Sequence, residues 1–215
     1  MHGYRAIVVS IGFEEKYAIR SLTRHGLDKG DRILLLTGPL VERTIKTLNF
    51  IKDFVTKYFS SEVSLRICEI PVHEFSMALS VVKKAIADDV KGAREVIVNL
   101  SGGMKVVAFA TLMAIAQLKP SNVLIEVELE DSSTVVQIPT LLLNPPSIEG
   151  AKLEVLRKLI ERGGEVSVRE LAKSLGKDAS TIRRYLIELR KLRLVTIKRN
   201  RPLTVEALAL ANALV

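Results

Sequence analysis

The sequence contains no tryptophan and a single cysteine, and these absences limit the chemistry available to the chain. The one thiol, Cys68, cannot form an internal disulfide and has no companions at metal-ligand spacing, so a buried core thiol is the simplest interpretation. We therefore predict no metal site and no cofactor.

Long hydrophobic runs are also missing. The longest, Val106 to Leu118, falls well short of the roughly 20 residues that cross a bilayer. The N-terminal stretch MHGYRAIVV lacks the basic flank and the small-residue cleavage site of a signal peptide. We expect a soluble cytoplasmic protein with no membrane partner.

Most of the chain has no excess of positive over negative charge, and the excess lies at its C-terminal end. Residues 1 to 150 contain 17 Lys and Arg against 17 Asp and Glu, whereas residues 151 to 215 contain 15 against 7, which accounts for the whole net charge of +8. The imbalance predicts two domains with different partners. A basic segment of this size suits nucleic acid, an anionic membrane or an acidic protein, and only its structural pattern can decide.

The first part of the chain alternates strand-like runs with helix-length amphipathic segments. Four successive βα units are predicted, followed by the strand candidates NVLIEVEL and TVVQIP. The strand runs are continuously apolar, as expected of a parallel sheet covered by helices on both faces. We predict a Rossmann-like, doubly wound α/β domain over residues 1–138, with its functional loops at the carboxyl ends of the strands.

The helical and strand-like periodicities are both interrupted in the proline-rich stretch PTLLLNPPSIEG, which we interpret as a linker over residues 139–150. Three short helical patterns and two β-rich runs around the turn-like RNRP follow. That order predicts a winged helix-turn-helix domain over residues 151–215, and the final segment EALALANALV could pack on the wing or on a partner subunit.

The stretch NLSGGMK lies between the fourth predicted strand and a long apolar helix. A helix N-terminus offers free N–H groups to an anion, and a lysine in the first turn is unfavourable beside the helix dipole unless an anion is near. We therefore predict an anion or nucleotide cradle. The alternative is an ordinary βα turn in which Ser101 caps the helix and the glycines serve tight packing.

Known phosphate fingerprints do not fit this loop. The sequence has no GxxxxGK[ST], and the first βα turn, SIGFEEK, has one glycine instead of GxGxxG, so nucleoside triphosphate hydrolysis and NAD binding lose support. The turn is still the natural second wall of a pocket at the strand ends. Gly12 would allow close approach and Phe13 stacking, although Phe13 suits the core equally well.

The pair SIGFE and N-x-S-G-G-x-K resembles the two ligand loops of CRISPR-associated Rossmann fold (CARF) domains. With a C-terminal winged helix, the whole chain is similar to the CARF-type transcriptional regulators of archaeal CRISPR-Cas loci. The resemblance implies a homodimer whose paired CARF domains bind a cyclic oligoadenylate, typically cyclic tetra-adenylate. By the same resemblance, the ligand-binding residues would be Gly12, Phe13, Asn99, Ser101, Gly102, Gly103, Met104 and Lys105.

The DNA-binding prediction depends on the segment KSLGKDASTIRRYLIELRKLRLV. A stripe of Ile182, Leu186, Leu189 and Leu192 must face the core, which turns the polar positions of the helix's first half outward, where this motif meets the major groove. A basic hairpin tip follows. The predicted double-stranded DNA contacts are Lys177, Ser180, Thr181, Arg183, Arg184, Lys198, Arg199 and Arg201. The alternative is a solvated charged face used for protein contact.

Three further expectations follow. The helix Val106 to Leu118 is apolar nearly all round, which predicts burial against the equivalent helix of a second subunit. Arg20 and His25 match the RxxxxH spacing of a family of helical ribonucleases, but without that structural context we interpret both as surface-helix residues.

The leading function is a ligand-responsive DNA-binding regulator. A ring nuclease that cleaves cyclic oligoadenylate and a nonspecific nucleic-acid-binding architectural protein remain as alternatives.

Overall fold

The protein is described from a computed structural model that covers residues 3–59, 62–131, 133–198 and 201–215. The chain forms two compact units, Met1–Asn144 and Pro145–Val215. The division lies between residues 144 and 145, inside the proline-rich stretch.

The N-terminal unit is built on a six-stranded sheet with the order β3-β2-β1-β4-β5-β6. Strands β1 to β5 are parallel, and β6 is antiparallel to β5. Their bounds are β1 Arg5–Ile11, β2 Arg32–Thr37, β3 Ser64–Glu69, β4 Glu95–Asn99, β5 Val123–Glu128 and β6 Val135–Ile138. The predicted Rossmann-like class is confirmed.

Four helices cover this sheet. They are α1 Lys16–His25, α2 Glu42–Tyr58, α3 Phe75–Val90 and α4 Lys105–Leu118. Helices α1 and α2 share a buried cluster with Ile7 and Val9 of β1, while α3 and α4 share another with Ala6 and Val8. Because successive side chains of a strand point to opposite faces, β1 has to be apolar at every position, and all seven of its residues are buried.

The strand order places a topological switch at β1. The chain passes from β1 to β2 on one side and reaches β4 on the other. The connections that leave β1 and β4 therefore run to opposite faces of the sheet, and a crevice opens between them at the carboxyl ends of the strands. Both loops that the sequence singled out lie at this crevice.

The C-terminal unit is a helix-turn-helix with a small wing. Its core is formed by the inward faces of three helices, with Leu156, Leu171 and Leu186 fully buried. A capping box between Ser167 and Glu170 starts the second of these helices. The elements are α5 Gly150–Arg162, β7 Val166–Ser167, α6 Val168–Ser174, α7 Ala179–Lys191, β8 Val195–Lys198, β9 Thr204–Ala207 and the short α8 Ala209–Asn212, with β7-β9-β8 as an antiparallel sheet.

Two negative findings concern the described residues alone. No helix among them combines the length and the apolar character needed to span a bilayer. Across the same ranges, no three His, Cys, Asp or Glu side chains are grouped so that they could hold a metal ion.

Candidate functional site

The loops that follow β1 and β4 are packed backbone against backbone. A Cβ added to Gly103 would lie 2.9 Å from the Ile11 carbonyl oxygen, and one added to Gly12 would lie 3.0 Å from the Gly103 Cα atom. Gly103 also has a φ of +84°, a conformation that L side chains rarely adopt. Ser10 fastens the contact, because its hydroxyl donates to the Gly102 carbonyl oxygen at 2.6 Å. The glycines therefore bring the two loops together, as the alternative with tightly packed glycines expected.

Asn99 supports the second loop from below. Its side chain is fully buried, its amide nitrogen donates to Glu126 Oε1 at 2.9 Å, and its amide oxygen accepts from the Ser101 N–H at 3.1 Å. Both ends of the amide are thus occupied inside the protein. The prediction that Asn99 contacts a ligand directly is corrected to a supporting role, because the side chain has no open surface.

Ser101 is similarly engaged, since its hydroxyl oxygen accepts from the Glu128 N–H at 2.8 Å. It does not cap the following helix. Helix α4 has Met104 at its N-cap position and no side-chain capping bond, so the alternative in which Ser101 caps an ordinary βα turn is wrong.

Two buried carboxylates beneath this loop were not singled out by the sequence. Glu126 and Glu128 lie on β5, and α1 supplies side-chain partners to both. Arg20 Nη1 lies 2.6 Å from Glu128 Oε1, Arg24 bridges both carboxylates at 3.1 and 2.9 Å, and His25 Nε2 lies 3.0 Å from Glu126 Oε2. Arg20 and His25, the RxxxxH pair, thus fix α1 to the sheet by binding these carboxylates.

Hydrogen bonding keeps the first of these carboxylates ionised. Burial raises the pKa of the Glu126 carboxyl. Hydrogen bonds from Asn99, Ser21 and His25 lower the pKa by more than burial raises it, so the pKa lies below its ordinary value. A buried charge is tolerated only with partners of this kind. The period-two pattern of the run LIEVELE was the available signal, because it alternates glutamates with apolar residues along a strand of a covered sheet.

A cavity of about 740 Å³ opens at the crevice. Six of the predicted ligand residues line it, namely Gly12, Phe13, Ser101, Gly102, Gly103 and Met104. Asn99 and Lys105 are not among its lining residues. Lys105 is exposed at the first position of α4, and within the described part of the chain its ammonium group has no ion-pair partner.

The loop after β2 and the start of α2 form a third wall, which the sequence did not indicate. Its lining residues are Thr37, Gly38, Pro39, Val41, Arg43 and Thr44. The Arg43 guanidinium lies over the Phe13 ring, 4.9 Å from its centroid. Phe13 is 52% exposed, so it belongs to the cavity and not to the core. Its carbonyl oxygen accepts from the Thr47 hydroxyl at 3.1 Å, which anchors the first loop to α2.

The outward face of α4 is apolar and uncovered within the unit. Phe109 is 58% exposed and Met113, one turn further on, is exposed as well. The opposite side of the helix, with Val107, Ala110 and Ala114, is buried in the core.

The candidate nucleic-acid interface lies on α7 and the wing. Ile182, Leu186 and Leu189 are buried as predicted, and Leu192 is partly buried. The polar positions in the first half of α7 then turn outward, with Ser180, Arg183 and Arg184 exposed and Thr181 partly buried.

Two of the predicted DNA contacts are engaged within the unit. Lys177 Nζ lies 3.4 Å from Glu154 Oε2, and Lys198 pairs with both Glu165 and Glu206 across the wing. Arg201 is exposed and free of ion pairs among the described residues. Arg199 lies outside the described residues.

A Rossmann-like unit with a cavity at its switch point, followed in the same chain by a winged helix-turn-helix, is the architecture of a DNA-binding regulator. The Csa3 CRISPR-associated Rossmann-like domain family matches residues 5–139, and the bacterial regulatory protein, arsR family, a helix-turn-helix family, matches residues 150–196. The first match covers more than half of the chain. The chain therefore belongs to the Csa3 family and is a CARF transcriptional regulator with a DNA-binding helix-turn-helix.

Comparison with curated proteins finds no match to the chain. Two solved structures show partial similarity. The Zα domain of PKZ from Carassius auratus, in complex with Z-DNA, is 26% identical, covers 27% of this chain and 100% of its own, and has a TM-score of 0.25. A RuvB mutant from Thermogota maritima is 16% identical over 96% of this chain and 77% of its own, with a TM-score of 0.27. TM-scores this low carry no inference about this chain.

The loop contact yields a prediction about stability. Gly103→Ala should destabilise the N-terminal unit more than Gly92→Ala. The two glycines have similar φ values of +84° and +82°, but only at Gly103 would the added Cβ lie within 3 Å of a backbone atom, the Ile11 carbonyl oxygen. Gly92, with open space around its Cβ position, is the matched control for conformational strain. The measurement is urea unfolding of the full chain, and equal losses for the two variants would show that the loops can separate without cost.

Proposed function

We propose that the protein is a ligand-responsive regulator of CRISPR-Cas genes that acts in the cytoplasm as a homodimer. The N-terminal unit would bind a cyclic oligoadenylate, cyclic tetra-adenylate in our proposal, and the C-terminal unit would bind promoter DNA. The observation that carries the proposal is the cavity at the switch point, enclosed by the loops of a CARF domain in the same chain as a helix-turn-helix.

The ligand assignment is supported by the chemistry of the crevice. A cyclic oligoadenylate is a ring of alternating riboses and phosphates, with one adenine base attached to each ribose. The N-terminal N–H groups of α4 and the free ammonium group of Lys105 favour phosphate outside the cavity, while the cavity itself has room for bases. Because the nucleotides of the cyclic oligoadenylate repeat around the ring, one ring can contact both of the equivalent crevices that a two-fold axis creates in a homodimer.

The homodimer is supported by the outward face of α4. Phe109 and Met113 expose apolar surface on α4, the helix that begins at the loop lining the crevice. Isologous pairing would cover both exposed stripes at once and bring two crevices to one axis.

DNA binding is supported by the charge and geometry of the C-terminal unit. Arg183 and Arg184 project from the first half of α7, where a recognition helix meets base edges, and Arg201 lies at the wing. In the proposed mechanism, ring binding favours one conformation of the dimer, and the two conformations differ in DNA affinity. The factor by which the ring changes DNA affinity gives the coupling free energy.

Dimer formation can be tested on the full chain. Phe109→Glu should convert the dimer into a monomer, because it buries an unpaired charge in the proposed interface. Phe50→Glu is the matched control, since Phe50 is 54% exposed on α2, which covers the opposite face of the sheet. Light scattering during gel filtration distinguishes the states. A wild-type monomer at micromolar concentration, or a dimer that survives Phe109→Glu, would contradict the proposal.

Ligand binding can be tested by calorimetry with cyclic tetra-adenylate. Lys105→Ala should weaken binding by more than about tenfold, the scale of a lost charge-assisted contact. Lys119→Ala removes the same charge from the other end of α4 and should leave the affinity unchanged. Chromatography of the ligand after the titration separates binding from cleavage, and recovery of linear products would favour the ring nuclease instead.

DNA binding is tested by titrating duplex fragments of the protein's own promoter region. Arg183→Ala should cost about 1–3 kcal/mol at one base position and relax the preference there. Arg201→Ala should weaken binding to all sequences alike and reduce the salt slope by about 1. Arg190→Ala, at the distal end of α7, is the charge-matched control. Affinity no greater than that for random duplex, with and without the cyclic ligand, would refute the regulator.

A further inference from the structure

Aromatic side chains are concentrated on one helix of the N-terminal unit. The chain has six phenylalanines and four tyrosines, and four of these residues lie on α2 or at its C-cap: Phe50, Phe54, Tyr58 and Phe59. Phe50 is 54% exposed and Tyr58 is 62% exposed. Single apolar residues on a surface are ordinary, but neighbouring exposed rings are typical of a binding surface.

The packing of α2 against the sheet does not require these rings. The helix is anchored by Leu48, Ile51 and Val55, each of which is at most 5% exposed. None of the four aromatic residues belongs to the apolar cluster that these three side chains share with β1. The rings therefore contribute little to holding the helix in place and are available to a partner.

Three of the rings follow one line along the helix. Phe50, Phe54 and Tyr58 are spaced four residues apart, which places them on successive turns and about 12 Å from end to end along the helix axis. The rings of Phe54 and Tyr58 are in contact, with their centroids 5.0 Å apart and their planes tilted by 44°. These three residues are the aromatic face of α2.

Cations lie beside the aromatic face. The Lys57 ammonium group lies over the Tyr58 ring, 5.2 Å from its centroid, and within the described part of the chain it has no ion-pair partner. Lys46 is exposed and pairs with Glu42 at 2.6 Å. The helix as a whole carries four cations against two carboxylates, of which Asp53 is the second, so its net charge is positive.

The outward face of α4 differs in charge. Val106 to Leu118 contains no charged residue, so the exposed Phe109 and Met113 form an uncharged surface. An uncharged apolar surface suits a second copy of the chain. Rings flanked by cations suit an anionic partner that has flat groups of its own. Single-stranded nucleic acid supplies both in every nucleotide, a phosphate for the cation and an unpaired base for the ring.

We propose that the aromatic face of α2 binds single-stranded nucleic acid, with bases stacked on Phe50 and Tyr58 and a phosphate beside Lys57. This is a second nucleic-acid site, on a different unit of the chain from α7 and the wing. It requires neither a cyclic ligand nor duplex DNA. Because every base has a flat face, binding here should tolerate any sequence.

The first test measures the binding of a short, fluorescently labelled oligothymidylate to the full-length protein by anisotropy at low salt. Phe50→Ala and Tyr58→Ala should each weaken binding by about fivefold or more, as expected for a lost base stack. Tyr58→Phe keeps the ring and should keep the affinity. Ile45→Ala is the matched apolar control, because Ile45 is 44% exposed but lies about 140° around α2 from Phe50.

The phosphate contact is measured through the salt dependence of the same binding. Lys57→Ala should reduce the slope of log affinity against log salt concentration by about 0.7, the value for one phosphate contact of a single strand. Lys52→Ala removes the same charge from the other side of the helix and should leave the slope unchanged. An oligomer of equal length that lacks bases should bind the wild type more weakly than oligothymidylate does.

Duplex binding separates this site from the helix-turn-helix. The Phe50→Ala/Tyr58→Ala double variant should keep the wild-type affinity for duplex DNA, which also shows that the variant is folded. Arg183→Ala/Arg184→Ala should keep the affinity for the single strand. The opposite pattern, in which the arginine variant loses the single strand and the aromatic variant keeps it, would assign single-strand binding to α7 and overturn the proposal.

Three other results would also overturn it. They are no single-strand affinity in the wild type, equal affinity for the oligomer without bases, and a loss in Ile45→Ala as large as that in Tyr58→Ala. If the wild type binds phosphatidylglycerol vesicles instead of the single strand, and the aromatic double variant does not, the face belongs to a membrane contact. None of these outcomes affects the proposed regulator, because that proposal depends on α4, the crevice and α7.

Discussion

The contact between Gly12 and Gly103 places two loops from opposite sides of a topological switch within van der Waals distance of each other. The positions of the two loops that line the crevice depend on it. The loop after β1 directs Phe13 towards α2, while the loop after β4 sets the start of α4, and so the exposed position of Lys105. A side chain at either glycine would push the loops apart and enlarge the cavity between them. The glycines thus define the shape of the site without supplying its chemistry.

Support for the contact comes from the buried carboxylates of β5. Glu126 is paired in register with Asn99, whose amide holds the Ser101 N–H, and the backbone of Glu128 holds the Ser101 hydroxyl. Hydrogen bonds from Asn99, Ser21 and His25 keep Glu126 ionised, and Arg20 and Arg24 of α1 keep Glu128 ionised. Burial costs such charges several kcal/mol each unless they are paired, so the network ties α1, β4 and β5 into one rigid foundation for the ligand loop.

The two units divide their charges in different ways. In the N-terminal unit, several arginines bind buried carboxylates, as Arg20 and Arg24 show. The C-terminal unit pairs Lys177 and Lys198 locally but leaves Arg183, Arg184 and Arg201 exposed. Arginine forms bidentate bonds that lysine cannot, so the free residues are those best suited to base and phosphate recognition.

Periodicity and charge in the sequence alone were sufficient to determine the order of the elements, the covered parallel sheet, the winged helix and the two loops at the strand ends. These features follow from local pattern, because a strand covered on both faces must be apolar throughout and a recognition helix must bury one stripe. Only the tertiary structure decided that Asn99 lies beneath the loop, that Lys105 stands outside the cavity, and that Arg20 and His25 meet Glu126 and Glu128. It also brought Thr37, Arg43 and Thr44 to the site. Each of these depends on which distant segments the sheet order makes neighbours, and no local pattern carries that information.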